Sequence, residues 1–325
     1  MTRSVANVLC AAALSVCALQ SAQAADNYPN RAVRMIIPFP VGGATDILAR
    51  VVAQKSAELF GQQVVVDNRP GAGGTLGSRI AVTATADGYT LLMGTTSTHA
   101  IGPHLYAKPP YDSLTDFSHI TQIATSPTVL MVASQVPAQS IKELVALAKA
   151  QPGKLNFSTA GQTSAPHFAA LLFMQRTGAT WEFIPGKGGA QAVLDLVTGQ
   201  ADITMNGMLA TLPYVKSGKL KLIAVSSEKR NPGLPETPTI QESGVADFVT
   251  GSWQGILAPA KTPPEIVAKM QAETRRVLFA TEMKNLLSTQ GAEPMGSTPE
   301  ETGAFMNRER ERWGKLIRDT GYKLQ

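Results

Sequence analysis

With 325 residues, 44% hydrophobic and 16% charged, the chain has the composition of a globular protein with a sizeable core, which excludes a disordered chain. Its formal charge of +5 mildly favours small anions but is too small and too spread out for nucleic-acid binding. The length admits two domains.

Residues 1–24 stand apart. Arg3 is their only charge, positions 8–19 are nearly all apolar, and Ala22-Gln23-Ala24 has the A-x-A form. This is the pattern of a secretory signal peptide cleaved after Ala24, with an apolar run too short to span a bilayer. Cys10 and Cys17 both lie in it, so the mature chain is expected to use neither disulfides nor thiol chemistry. Losing Arg3 takes the formal charge from +5 to +4. No later stretch is apolar for long enough to cross a membrane, and a soluble mature protein is expected.

Residues 33–37 are an apolar, β-rich run that ends at Pro38. Phe39-Pro40-Val41-Gly42-Gly43-Ala44-Thr45-Asp46 is a turn, after which Ile47, Leu48, Val51 and Val52 recur at helical spacing. Strand, glycine turn and helix start aim free N–H groups and the positive helix end at one point, a site for a carboxylate. The alternative is a plain turn with Asp46 as a first-turn acid. Residues 63–67 give a second strand, 68–75 a second glycine turn, 77–84 a helix, 89–93 a third strand and 94–99 a hydroxyl-rich loop. This βαβαβ order predicts a parallel sheet with ligands beyond the carboxyl ends of its strands.

Residues 103–118 read as irregular and 129–133 as a strand. Ser140 to Glu143 forms a capping box for a helix that ends at Pro152-Gly153. Strands at 155–158, 181–184, 201–205 and 220–226 alternate with polar turns and with helices near 165 and over 190–198. Thr262-Pro263-Pro264-Glu265 and Thr298-Pro299-Glu300-Glu301 open two further helices, 265–279 and 300–319, by capping threonine and early proline. Residues 120–127 and 248–254 are extended runs suited to connecting two α/β units.

Signatures of catalysis are weak. Gly71-Ala72-Gly73-Gly74-Thr75-Leu76-Gly77 misses the G-x-G-x-x-G register, and there is no Walker A loop. Ser226-Ser227-Glu228-Lys229 matches S-x-x-K without its companion motifs and reads better as a charged surface turn. Gly161-Gln162-Thr163-Ser164-Ala165 is one residue out of register with a nucleophile elbow. The four histidines have no metal-binding spacing; His99 and His167 follow hydroxyl-rich turns and are placed to line a cleft. Lys187, between glycines at a helix start, reads as a cation for a ligand or as a solvated side chain.

The chain resembles the Bug receptors, the extracytoplasmic solute receptors of tripartite tricarboxylate transporters. The resemblance rests on Tyr28-Pro29, Val33-Arg34 and Pro38-Phe39-Pro40, then Gly42-Gly43 with Asp46 and Ala49-Arg50. It continues through Val66-Asp67-Asn68-Arg69-Pro70-Gly71-Ala72-Gly73-Gly74, Asp87-Gly88-Tyr89-Thr90-Leu91-Leu92 and Thr98-His99-Ala100. Residues 109–112, Pro152-Gly153-Lys154-Leu155, Lys187-Gly188-Gly189, Leu234-Pro235, Pro238-Thr239 and Ala258-Pro259 complete it. It spans essentially the whole mature chain.

The resemblance implies a two-domain periplasmic binding fold of the flytrap-like type II, α/β in class, with the ligand between the domains. Residues 25–124 and 250–325 would form one domain and 125–249 the other. It implies a monomer that hands a small organic carboxylate to membrane transporter subunits, with no cofactor. Phe39, Gly42, Gly43, Thr45 and Asp46 would bind from one domain, with Thr96, Ser97 and His99 as neighbours. Ser158, Gly161, Thr163 and Ser164 would close from the other, with Lys187, Gly188 and Asn206 near. Asp46 would orient donors or water, since like charges repel. Where the family often reads Tyr-Lys-Gly, this chain has Gly186-Lys187-Gly188, which is expected to open space for a ring. Where it often has aspartate, this chain has Asn206, which removes a partner for a ligand ammonium. The expected ligand is therefore a mono- or dicarboxylate without an amino group, extending to aromatic acids of the phthalate type. A secreted hydrolase using a serine of 158–164 and a ligand-sensing signalling receptor are the alternatives.

Overall fold

The computed structural model describes residues 27–289 and 291–322. The expected leader, 1–24, lies outside the described residues. β1 (Val33–Ile37), α1 (Ala44–Phe60), β2 (Val64–Asn68), α2 (Thr75–Val82) and β3 (Thr90–Thr95) build the first unit, with β1 parallel to both β2 and β3. Then come β4 (Phe117–Ala133), α3 (Ile141–Ala150), β5 (Asn156–Thr159), α4 (Ala165–Thr177) and β6 (Glu182–Pro185). They are followed by α5 (Gly189–Val197), β7 (Ile203–Gly207), α6 (Met208–Lys216) and β8 (Leu220–Val225). β9 (Gly251–Pro259), α7 (Pro264–Phe279), α8 (Thr281–Thr289), β10 (Glu293–Pro294) and α9 (Pro299–Thr320) return to the first unit. No helix among the described residues is long and apolar enough to cross a membrane.

The strand order is β2-β1-β3-β9-β4-β7-β5-β6, with β8 and β10 also paired to β4. β4 is the shared spine. Residues 117–127 run antiparallel to β9, and 128–133 run antiparallel to β7 and β8. Register shifts after His119, Gln122 and Leu130 bend it, as bulges do. One core draws on 28–124 and 256–292, with Met35, Leu48 and Met270 buried. A second draws on 129–248, with Phe157, Phe173 and Phe248 buried. A third joins them through α9, where Met306, Trp313 and Ile317 pack with Phe168 of α4 and Trp253 of β9.

Where the chain crosses between the two cores, hydroxyls reinforce the backbone bonds from Ser226 N–H to the Thr128 carbonyl and from Thr250 N–H to the Ser226 carbonyl. Thr128 N–H donates to Ser226 Oγ (2.9 Å), and Ser226 Oγ–H donates to the Thr250 carbonyl (2.6 Å). Thr128 Oγ1 lies 2.8 Å from Ser226 Oγ and 3.2 Å from Thr250 Oγ1, all three residues being buried. Ser226 is thus not part of a surface turn: it ties three crossing segments together.

Other expectations shift in detail. The stretch 94–99 is not a loop; Thr96–Ile101 is helical, capped by Thr95, whose side chain bonds reciprocally with Thr98. The Thr298 box forms as expected, with Glu301 returning to the Thr298 N–H. Thr262 does not cap α7, because its hydroxyl donates to the Pro259 carbonyl instead. Glu143 reaches the Gln139 N–H rather than that of Ser140.

Replacing Ser226 by alanine strands the Thr128 N–H and the Thr250 carbonyl in the interior. A loss of about 1–3 kcal/mol is expected in urea unfolding. Parent-like stability would show that the crossing segments do not depend on this hydroxyl.

Candidate functional site

A cleft of about 1240 Å³ lies between the two units. Closed small-ligand pockets hold roughly 300–1,000 Å³, so this one is still open at its mouth. The N-caps of five helices line it: Gly43 of α1, Gly74 of α2, Ser164 of α4, Gly188 of α5 and Gly207 of α6. The four glycines make no side-chain cap bond, so no side-chain oxygen competes there for the first-turn donors. Each helix start also brings about half a positive charge. Only α1 carries an acid in its first turn, Asp46.

Asp46 does not face the cleft. Its carboxylate is buried and accepts from Gly42 N–H (2.9 Å), Asn68 Nδ2 (2.8 Å) and Arg50 Nε (3.1 Å). Burial alone raises its pKa, but the bonds from Arg50, Gly42 and Asn68 outweigh it and hold the carboxyl below the usual range. Asn68 Nδ2 also donates to the Phe39 carbonyl (3.0 Å), so this network sets the shape of the whole turn. Gly42 within it has φ +84°, a conformation that favours glycine.

Of the other expected residues, Phe39, Gly43, Thr45, Ser97, Gly161, Thr163, Ser164, Lys187, Gly188 and Asn206 line the cleft. Lys187 is its only charged side chain among the described lining residues. Gly42 is exposed and does not line the cleft, whereas Thr96, His99 and Ser158 are buried behind its wall. Thr96 Oγ1 accepts from the Trp253 N–H (3.0 Å), and Ser158 Oγ–H donates to Asp195 (2.6 Å). His99 is buried among Phe117, Tyr111 and Trp253, its Nδ1 2.8 Å from Thr98 Oγ1. His167 is likewise buried, against Phe183 and Tyr322, and does not line the cleft.

Asn206 reaches the cleft with its amide already engaged: Nδ2 donates to the Gly189 carbonyl (2.7 Å) and Oδ1 accepts from the Gly207 N–H (2.8 Å). It ties the starts of α5 and α6 together. Gly186 does not open space for a ring. A Cβ there would lie 2.2 Å from the Thr159 carbonyl oxygen, so its missing side chain faces backbone and not ligand.

The rims already touch. Thr163 Oγ1 occupies the place a Cβ on Gly73 would take, 1.7 Å away, and Pro40 packs where a Cβ on Gly188 would point. The Ala165 N–H donates to Ser97 Oγ across the gap (3.2 Å). Sequence reasoning missed the floor, Ser126 and Thr128 of β4 with Ser252 and Gln254 of β9. A signal was there in β9, where Ser252 and Gln254 alternate in an otherwise apolar strand.

Residues 48–322 match the family model described as Tripartite tricarboxylate transporter family receptor. The chain belongs to this family of solute receptors. It is 37% identical over 302 residues to Protein BugT of Bordetella pertussis, covering 93% of each chain. The solved structure of periplasmic binding protein BugD superposes with a TM-score of 0.88 at 33% identity, over 92% of this chain and all of that one. Rpa4515 of R. palustris, solved with adipate, gives a TM-score of 0.88 at 34% identity, over 90% of this chain and 98% of that one. The fold is that of a two-domain periplasmic binding protein, as the sequence implied.

Burial lowers the pKa of His99 to about 3, with His119 adding to the shift, and that of His167 to about 4. The unfolded chain takes up these protons near pH 6.5 and the folded one does not. Stability is therefore expected to fall from about pH 6.5 towards 4, by up to about 1.4 kcal/mol per pH unit for each histidine. Melting temperatures between pH 7 and 4.5 test this, and His167→Leu should flatten the decline. A parent profile without slope would contradict the burial of both rings.

Proposed function

We propose that this protein is a periplasmic receptor, exported by a leader cleaved after Ala24, that captures a small organic carboxylate and delivers it as a monomer to tripartite transporter subunits. No reaction is catalysed. The observation that carries the reading is the convergence of five helix starts on one cleft in which Lys187 is the only charged side chain among the described residues. Such a site binds an anion through neutral donors and dipoles.

The ligand is a mono- or dicarboxylate without an amino group. With the Asn206 amide engaged and no acid among the described lining residues, a ligand ammonium would be desolvated without a partner, which is costly. Phe39, Pro40, Val41, Tyr106 and Leu194 offer apolar surface to an aliphatic chain or to the ring of a phthalate-type acid. That the neighbour Rpa4515 was solved with adipate supports this class. Residues 25–124 with 250–325, and 125–249, move as two bodies about β4 and β9 and close on the ligand. Val41 and Leu194, 63% and 41% exposed near the mouth, lose surface as they close.

Calorimetry with adipate and terephthalate against glutamate and aspartate tests the ligand class. Plain acids are expected to bind and amino acids to fail; the reverse order would refute the assignment. Ester substrates should bind or not bind but show no turnover, and turnover would favour the hydrolase alternative.

Scattering with the best-binding acid should show compaction. In Gly73→Ala, whose new Cβ meets Thr163, that compaction should be lost and binding weakened by about tenfold. Unchanged compaction in the variant would contradict closure through this contact.

A further inference from the structure

The floor of the cleft carries two polar atoms that nothing satisfies. Ser126 Oγ and Gln254 Oε1 are buried and have no hydrogen-bond partner among the described residues, although both residues line the cleft. They belong to the two strands that bridge the units. Ser126 stands opposite Ser252 in the β4–β9 ladder, and Gln254, two residues along β9 from Ser252, points to the same face. The other end of the Gln254 amide is engaged: Nε2 donates to Ser252 Oγ at 3.4 Å. What remains is an acceptor without a donor, Gln254 Oε1, and, diagonally across the ladder on the same face, a hydroxyl that can do either, Ser126. Nearby Thr128 is already committed to Ser226 and Thr250.

Buried polar groups in native proteins are as a rule paired, so an unpaired couple in a ligand cleft marks where a ligand group completes the set. With the amide in this orientation an ionised carboxylate does not complete it, because its oxygens only accept and would face Gln254 Oε1; only with the amide turned over would Nε2 donate to one. An aliphatic chain leaves both atoms unpaired. A hydroxyl donates to Gln254 and accepts from Ser126 in one position. It also suits the amide turned the other way, since a hydroxyl both donates and accepts.

Resting on the carboxylate reading above, we infer that Ser126 and Gln254 form a second, neutral subsite that selects an acid carrying a hydroxyl away from the carboxylate held by the helix starts. The ligand is then a hydroxy acid, and the subsite lies on the strands about which the units close. Occupying it links recognition of the hydroxyl to closure, because its residues come from both bridging strands.

Calorimetry on the intact secreted chain with pairs differing by one hydroxyl tests this. The pairs are 3-hydroxybutyrate and butyrate, 6-hydroxyhexanoate and hexanoate, 4-hydroxybenzoate and benzoate, malate and succinate. In at least one pair the hydroxy acid is expected to bind about tenfold more tightly. Ser126→Ala and Gln254→Met should bring that ratio near one while the plain acid still binds, which also shows that the variants fold. If acids bind but no pair discriminates, the subsite is refuted and the carboxylate reading stands. If the variants lose both acids of a pair equally, the two residues only support the fold and the inference fails. If no carboxylate binds at all, the receptor reading itself falls and this inference with it.

Discussion

The molecule depends on one shared ribbon. β4 belongs to both units, pairing with β9 over its first part and with β7 and β8 over its last. Because one strand serves two sheets, the units cannot be placed independently. The bulges in β4 and the hydroxyl contacts of Thr128, Ser226 and Thr250 set the angle at which the units meet. That angle creates the cleft, and the same strands supply its floor. The strand ends of both sheets, with the helices that follow them, then face one another across the gap.

This arrangement decides the electrostatics. A cleft lined with arginines would hold an anion strongly but would need counter-charges when empty, and buried ion pairs often return little net stability. Glycine-capped helix starts offer fixed dipoles and N–H donors at no such cost. They need no side chain to be ordered and do not titrate. Asp46 is an acid kept out of the cleft and put to structural use: its charge is neutralised by Arg50 and holds the Gly42 N–H. The glycines also set how closely the rims approach, since Thr163 rests directly on Gly73 and Pro40 on Gly188.

Much of this was legible in the sequence. The strand at 33–37 was read to the residue, because an apolar β-branched run was followed by proline and glycine. The capping box at Thr298 and the turns at Gly43, Ser164 and Gly188 were legible for the same local reasons. What failed was non-local. His99 and Ser158 carry the right chemistry for a cleft, but only the packing shows His99 enclosed by Phe117 and Trp253, and Ser158 bonded to Asp195. Helix α6 was missed because Pro213 lies inside it, a residue that usually ends helices. Gly186 was read as space for a ligand, whereas its neighbour is the Thr159 carbonyl on an adjacent strand. The polar floor was overlooked because serine and glutamine in a strand resemble ordinary surface alternation until both faces are known to be covered.

The central claim is that helix starts and backbone donors capture an ionised carboxylate. Calorimetry with a tightly bound acid and its primary amide, equal in shape and differing in charge, tests it most directly. The account predicts that the amide binds at least about a hundredfold more weakly, since it loses the charge that five helix starts favour. Equal affinity for acid and amide would contradict it.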